Sequence, residues 1–67
     1  MTQFDELYEY IRETPGATRK DFRRDKPKIT HEHELISRML SKGLIVRVKE
    51  PRGGHMTYAH YVTEARP

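Results

Sequence analysis

Residues 37–48, SRMLSKGLIVRV, limit what this chain can fold into more than any other stretch, because a helical pattern there stops at a glycine and becomes a strand. Leu35, Ile36, Met39 and Leu40 recur at helical spacing on one face, and Gly43 stands where a helix end needs a left-handed residue. The period then shortens to two. Leu44, Val46 and Val48 alternate with Ile45, Arg47 and Lys49, which predicts a half-buried strand with Leu44 and Val46 turned inward. Pro51, Arg52, Gly53 and Gly54 supply a turn, and residues 56–62, rich in β-branched and aromatic side chains, predict the return strand of a hairpin.

The region before this stretch predicts two more helices. Thr2 is a candidate N-cap with Asp5 in capping-box position, and Phe4, Leu7, Tyr8 and Ile11 form an amphipathic face at i, i+3, i+4 and i+7. Pro15 and Gly16 end that helix. Thr18 with Asp21 repeats the capping signal for a helix of about two turns, with Ala17 and Phe22 facing inward. Pro27 interrupts the chain, Thr30 is the predicted N-cap of a third helix over about 31–42, and Ile29 precedes it as a hydrophobic staple. Glu32, His33, Glu34, Ser37, Arg38 and Ser41 remain on the wetter side of that helix. The expected fold is α+β, three helices followed by a two-stranded hairpin, as one domain over 1–63 with a loose tail at 64–67. The expected core is Phe4, Leu7, Ile11, Phe22, Ile29, Ile36, Met39, Leu40, Leu44, Val46 and Val62.

With 67 residues, 34% of them hydrophobic, and no cysteine, one small core must hold the domain without disulfides or a zinc ribbon. No apolar run approaches the roughly 18–20 residues that span a bilayer, and the first residues lack a basic start and apolar centre, so a soluble, cytoplasmic protein is expected. The net charge is +3, but its distribution says more than its sum. Residues 1–13 set Asp5, Glu6, Glu9 and Glu13 against Arg12, whereas residues 19–28 set Arg19, Lys20, Arg23, Arg24, Lys26 and Lys28 against Asp21 and Asp25. Residues 38–52 are basic again through Arg38, Lys42, Arg47, Lys49 and Arg52, with Glu50 the one acid. Two basic segments that folding could bring onto one face suit phosphate binding. The plainer reading is that such charges solvate a small domain.

Other chemistries find little in the sequence. His31 and His33 lie two apart, so on a helix their rings diverge by about 200° and cannot share a metal as an i, i+4 pair could. Cysteine nucleophile and phosphate-binding glycine loop are both missing, and Ser37 and Ser41 have no evident base, so neither catalysis nor a cofactor is expected. Tyr58 and Tyr61 fall on opposite faces of the return strand, where one can pack against the helices and the other can meet solvent or a stacked base.

The succession of helix, PGAT turn, short helix, turn, helix ending Met39-Leu40-Ser41-Lys42-Gly43-Leu44-Ile45, glycine turn and strand ending Val62-Thr63 resembles the winged helix-turn-helix superfamily. The likeness is to small regulator domains of the MarR and related types and covers nearly the whole chain. The resemblance implies a DNA-binding transcriptional regulator whose third helix enters the major groove while the hairpin, its wing, meets the backbone or minor groove. Carried over by position, His31, His33, Ser37 and Arg38 would face base edges. Thr18, Arg19, Lys20, Arg23 and Lys28 around the second helix, and Arg47, Lys49, Arg52 and His55 in the wing, would meet phosphates. The partner would be double-stranded DNA, bound by a homodimer or with a protein partner, since so small a monomer has few contacts to specify a long site. Glu32 and Glu34 depart from the pattern: a carboxylate accepts from cytosine N4 and favours a helix start, yet is repelled by phosphates. They keep open an alternative, a winged helix that binds a protein rather than DNA.

Overall fold

The structure is a computed structural model and describes residues 2–63, so the tail expected at 64–67 lies outside the described residues. It contains helices α1 (Gln3–Glu13), α2 (Arg19–Asp25) and α3 (Glu32–Ser41), followed by strands β1 (Ile45–Arg52) and β2 (His55–Val62), paired antiparallel. The chain is therefore α+β, with three helices ahead of a two-stranded hairpin.

The first two helices start as their local sequence dictates. Thr2 and Thr18 are extended N-caps, and each closes a reciprocal capping box with the aspartate three residues on, Asp5 or Asp21. α3 departs from expectation. Its N-cap is His31, without a side-chain cap, while Thr30 is exposed one residue too early. The first bond of α3 runs from the Leu35 amide to the His31 carbonyl, which makes His31 the N-cap and leaves Thr30 one position ahead of it.

At the other end of α3 the Gly43 amide donates to the Leu40 carbonyl (3.1 Å) and the Leu44 amide to the Met39 carbonyl (2.9 Å), the bond pair of a Schellman motif. Gly43 has φ 72°, a conformation that glycine adopts without penalty. Thr63 ties the far end of the hairpin to this same turn: its amide donates to the Leu44 carbonyl and its hydroxyl to the Gly43 carbonyl (2.8 Å).

Leu7, Ile11, Ala17, Phe22, Ile29, Leu35, Ile36, Met39, Ile45 and Val62 form one buried cluster, with Phe4, Tyr8, Tyr10, Leu40 and Leu44 packed partly against it. The strand phase is the reverse of the expected one. Ile45 is buried, Val46 is only half-buried and Val48 is 47% exposed. Residues 44–46 are all apolar, so hydropathy alone does not choose the inward set; the Schellman turn and the Ile45–Val62 pairing do. The turn is also shorter than expected. Pro51 and Arg52 belong to β1, and only Gly53 and Gly54, both with positive φ, separate the strands.

A third piece of β-structure joins the sheet. The Gly16 amide donates to the His60 carbonyl and the His60 amide to the Ala17 carbonyl, both at 2.9 Å, so residues between α1 and α2 bridge the edge of β2 away from β1. The hairpin is thus fastened twice, at Gly43–Leu44 and at Gly16–Ala17.

Replacing Gly43 by alanine meets no atom within 4 Å, so the cost is that of the left-handed backbone alone. The expected loss is about 1 kcal/mol, a fall in Tm of roughly 4–8 °C by thermal denaturation.

Candidate functional site

The outward side of α3 and the hairpin flank one another. Leu35, Ile36 and Met39 bury one side of α3, leaving Glu34, Ser37, Arg38 and Ser41 exposed along a ridge. His33 and Glu32 lie on the flank nearer the hairpin, where they share a groove with Arg47, Met56, Tyr58 and His60, floored by Phe22 and Ile36. Arg38 lies near Phe4, Ser41 and Lys42, on the flank of α3 away from that groove.

Strand pairing sorts the hairpin's charges. Ile45–Val62, Arg47–His60, Lys49–Tyr58 and Pro51–Met56 are facing pairs on one side of the sheet, the side that meets the core at its root. Beyond the core that side carries exposed Arg47 and Lys49. The Arg47 guanidinium lies 4.5 Å from the Tyr58 ring centroid, a cation–π contact worth about 0.5–1 kcal/mol at an exposed site. Tyr58 therefore holds Arg47 along the groove rather than serving as core. Tyr61 lies on the other side, its hydroxyl donating to Glu50 at 2.8 Å, so neither tyrosine is a core residue.

The basic residues named from sequence divide by what already engages them. Arg19 and Arg23 both reach the same Glu32 oxygen, at 3.0 and 3.4 Å, and the Glu32 side chain is only 12% exposed. Two cations and one carboxylate leave a net charge of +1 there, and Glu32 is drawn toward α2 instead of projecting with Glu34. Arg52 turns to the opposite side of the hairpin from Arg47 and Lys49, where it donates to the Gly16 carbonyl (3.4 Å) and lies 3.9 Å from Glu50. His55 pairs with Arg52 at the hairpin end and is exposed. Thr18 is a correction: it is 6% exposed, and its hydroxyl caps α2 through Asp21, so it presents nothing to a ligand. Lys20, Lys28, Arg38, Lys42 and Lys49 are exposed and make no ion pair among the described residues. His31, His33 and Ser37 are exposed as expected.

The burial of His60 was not foreseen from the sequence. The residue is 5% exposed, its ring centroid is 5.1 Å from that of Phe22, and Nδ1 lies 2.8 Å from the Ala17 carbonyl oxygen. A carbonyl only accepts, so Nδ1 carries the proton and donates. Burial, and to a lesser extent Arg47, pushes its pKa down from 6.5 despite that hydrogen bond. The cue lay in position: on β2, residue 60 shares the side of Val62 two residues away, which faces the core.

Among the described residues no three His, Asp or Glu side chains gather so as to hold a metal ion, and no helix is long and apolar enough to cross a membrane. No family model, curated protein or solved structure matches the chain.

Because His60 is held neutral in the folded state, the unfolded chain takes up its proton first on acidification. Its contribution to stability is complete above about pH 6.5 and is lost as pH falls through the lowered folded value. His60→Asn, which retains a donor near Nδ1, should have a lower Tm at pH 7 and a flatter fall in Tm between pH 7 and pH 5.

Proposed function

We propose that the chain is a winged helix-turn-helix domain that binds double-stranded DNA and acts as a small transcriptional regulator, with α3 in the major groove and the hairpin as its wing. The observation that carries this reading is the placement of Arg47 and Lys49, which make no ion pair among the described residues, on the hairpin side that flanks the exposed ridge of α3. A ridge of short and polar side chains beside a cationic arm suits a groove and its phosphate wall. Arg47 is preoriented by Tyr58, which lowers the entropy lost when it meets a phosphate.

The geometry changes the weight of the candidates. Arg47 and Lys49 are the principal phosphate ligands of the wing, with Lys28 and Lys20 on the helical side. Arg52 props the hairpin against the α1–α2 turn instead. Arg19 and Arg23 serve DNA only with their charge partly cancelled by Glu32. A specific site of useful length calls for two copies or a second protein, so a palindromic operator is the form of target this reading favours.

A protein-binding winged helix is the second reading, favoured by the bare carboxylate of Glu34 on the ridge and by exposed Met56 and Tyr58 on the hairpin. Titration of labelled duplex by fluorescence anisotropy at several salt concentrations separates the two. The DNA reading expects affinity to fall linearly in a log–log plot against salt; absence of binding at low ionic strength favours a protein partner.

Within that titration Arg47→Ala and Lys49→Ala should each weaken binding to all sequences about equally and reduce the salt slope by about 1, whereas Arg52→Ala should leave the slope near wild type. Glu32→Gln releases Arg19 and Arg23 and should tighten non-specific binding, with a salt slope steeper by up to about 1.

A further inference from the structure

The two acids in the first turn of α3 line one hollow with Arg19, Arg23 and Lys26, but they differ in what engages them. Glu32 is 12% exposed and engaged by Arg19 and Arg23. Glu34 is exposed and makes no ion pair among the described residues. Arg38 stands one helical turn further on, is also exposed, and is likewise without an ion pair among the described residues. Residues four apart on a helix are neighbours, about 6 Å along the axis, yet these two are not paired with each other. The helix dipole favours an acid anywhere in this turn, so it does not explain why one acid is neutralised and the other stands bare.

We infer that Glu34 is a cytosine-reading residue, and that Glu34 with Arg38 makes the domain select duplex DNA in which a cytosine and a guanine lie within about two base pairs. This rests on the DNA-binding reading given above. A carboxylate only accepts. In the major groove guanine offers N7 and O6 and thymine offers O4, all acceptors that repel it. Adenine presents its N6 donor beside the N7 acceptor, so a carboxylate at N6 meets a second lone pair. Cytosine offers the N4 donor with no acceptor of its own beside it. Arg38 has the opposite preference, since a guanidinium donates in a fork that matches guanine O6 and N7. The rise between the two residues corresponds to slightly less than two base steps of about 3.4 Å. Pairing of Glu32 with α2 leaves Glu34 as the ridge carboxylate without an ion pair among the described residues, which makes its choice of base readable.

Selection from a pool of duplexes with randomised central positions, followed by sequencing, tests this with wild type, Glu34→Gln and Arg38→Ala. Wild type is expected to enrich cytosine at one position by about 5- to 100-fold over the other bases, with guanine favoured one or two base pairs away. Glutamine pairs bidentately with adenine, so E34Q should move the preference at that position from cytosine to adenine and keep the guanine. R38A should lose the guanine and keep the cytosine. Both substitutions are at exposed positions, and circular dichroism checks that the variants are folded. Salt-dependent retention of duplex without cytosine enrichment, or a cytosine preference that E34Q keeps, overturns the inference while leaving DNA binding intact. Failure to retain any duplex at low salt overturns the DNA-binding reading and this inference together.

Discussion

The Ala17 carbonyl accepts both the backbone amide of His60 at 2.9 Å and the Nδ1 proton of its ring at 2.8 Å, and the position of the hairpin relative to the helices depends on that junction. A hairpin fastened only at its root, through Thr63 and the Gly43 turn, would be a lever with one pivot. The second fastening, at His60 two residues before the end of β2 and on its other edge, restricts the swing. Phe22 lies against the His60 ring and meets Tyr10 edge-on, 5.9 Å between centroids, so the junction also locks α2 onto α1. Tyr10 continues outward to Asp25 with a 2.6 Å hydrogen bond. Burial and that bond raise the Tyr10 pKa to about 12, while Arg24 and Tyr10 hold Asp25 down to about 2. A domain without disulfides or a metal cluster among its described residues thus keeps its layers in register through a chain of ring contacts and short hydrogen bonds ending in one buried carbonyl.

Charge in this molecule is spent twice over on structure before any is available to a partner. Arg12, Arg24 and Lys26 pair within or between the helices, Arg52 anchors the hairpin, and Arg19 and Arg23 converge on Glu32. Exposed pairs of this kind add little stability, typically 0–1 kcal/mol each, but they decide which cations face solvent unopposed. Among the described residues, the basic side chains without an ion pair lie along the hairpin side that flanks α3 and around the helix ends, a narrower distribution than the basic segments of the chain. Tyr58 adds direction to it by holding the Arg47 guanidinium over its ring.

Most of the element order was legible in the residues themselves. Thr2 and Thr18 with their aspartates, Pro15 as a stop and Gly43 as a left-handed terminator act through bonds or sterics spanning no more than a few residues. Leu7, Ile11, Phe22, Met39 and Val62 were identifiable as core from their spacing. The phase of β1 was not legible, because Leu44, Ile45 and Val46 are equally apolar and the choice depends on what Val62 packs against. Thr30 has the right chemistry for a cap, but the path of the chain around Pro27 starts α3 at the next residue but one. Ala59, fully buried, carries no periodic signal that a sequence reading could single out.

By itself, then, the sequence determined the three helices, the glycine-terminated turn after the third and the hairpin that follows, since each is set by interactions among residues close along the chain. Tertiary structure alone decided which of the described basic residues lack an ion pair, that Thr18 is buried at the start of α2 and that Arg52 turns away from Arg47. The reason is physical: an ion pair between Arg19 and Glu32 joins residues thirteen apart, and Arg52 meets the Gly16 carbonyl thirty-six residues away. No pattern along the chain encodes such meetings until the Ala17–His60 junction and the buried cluster have brought their elements together.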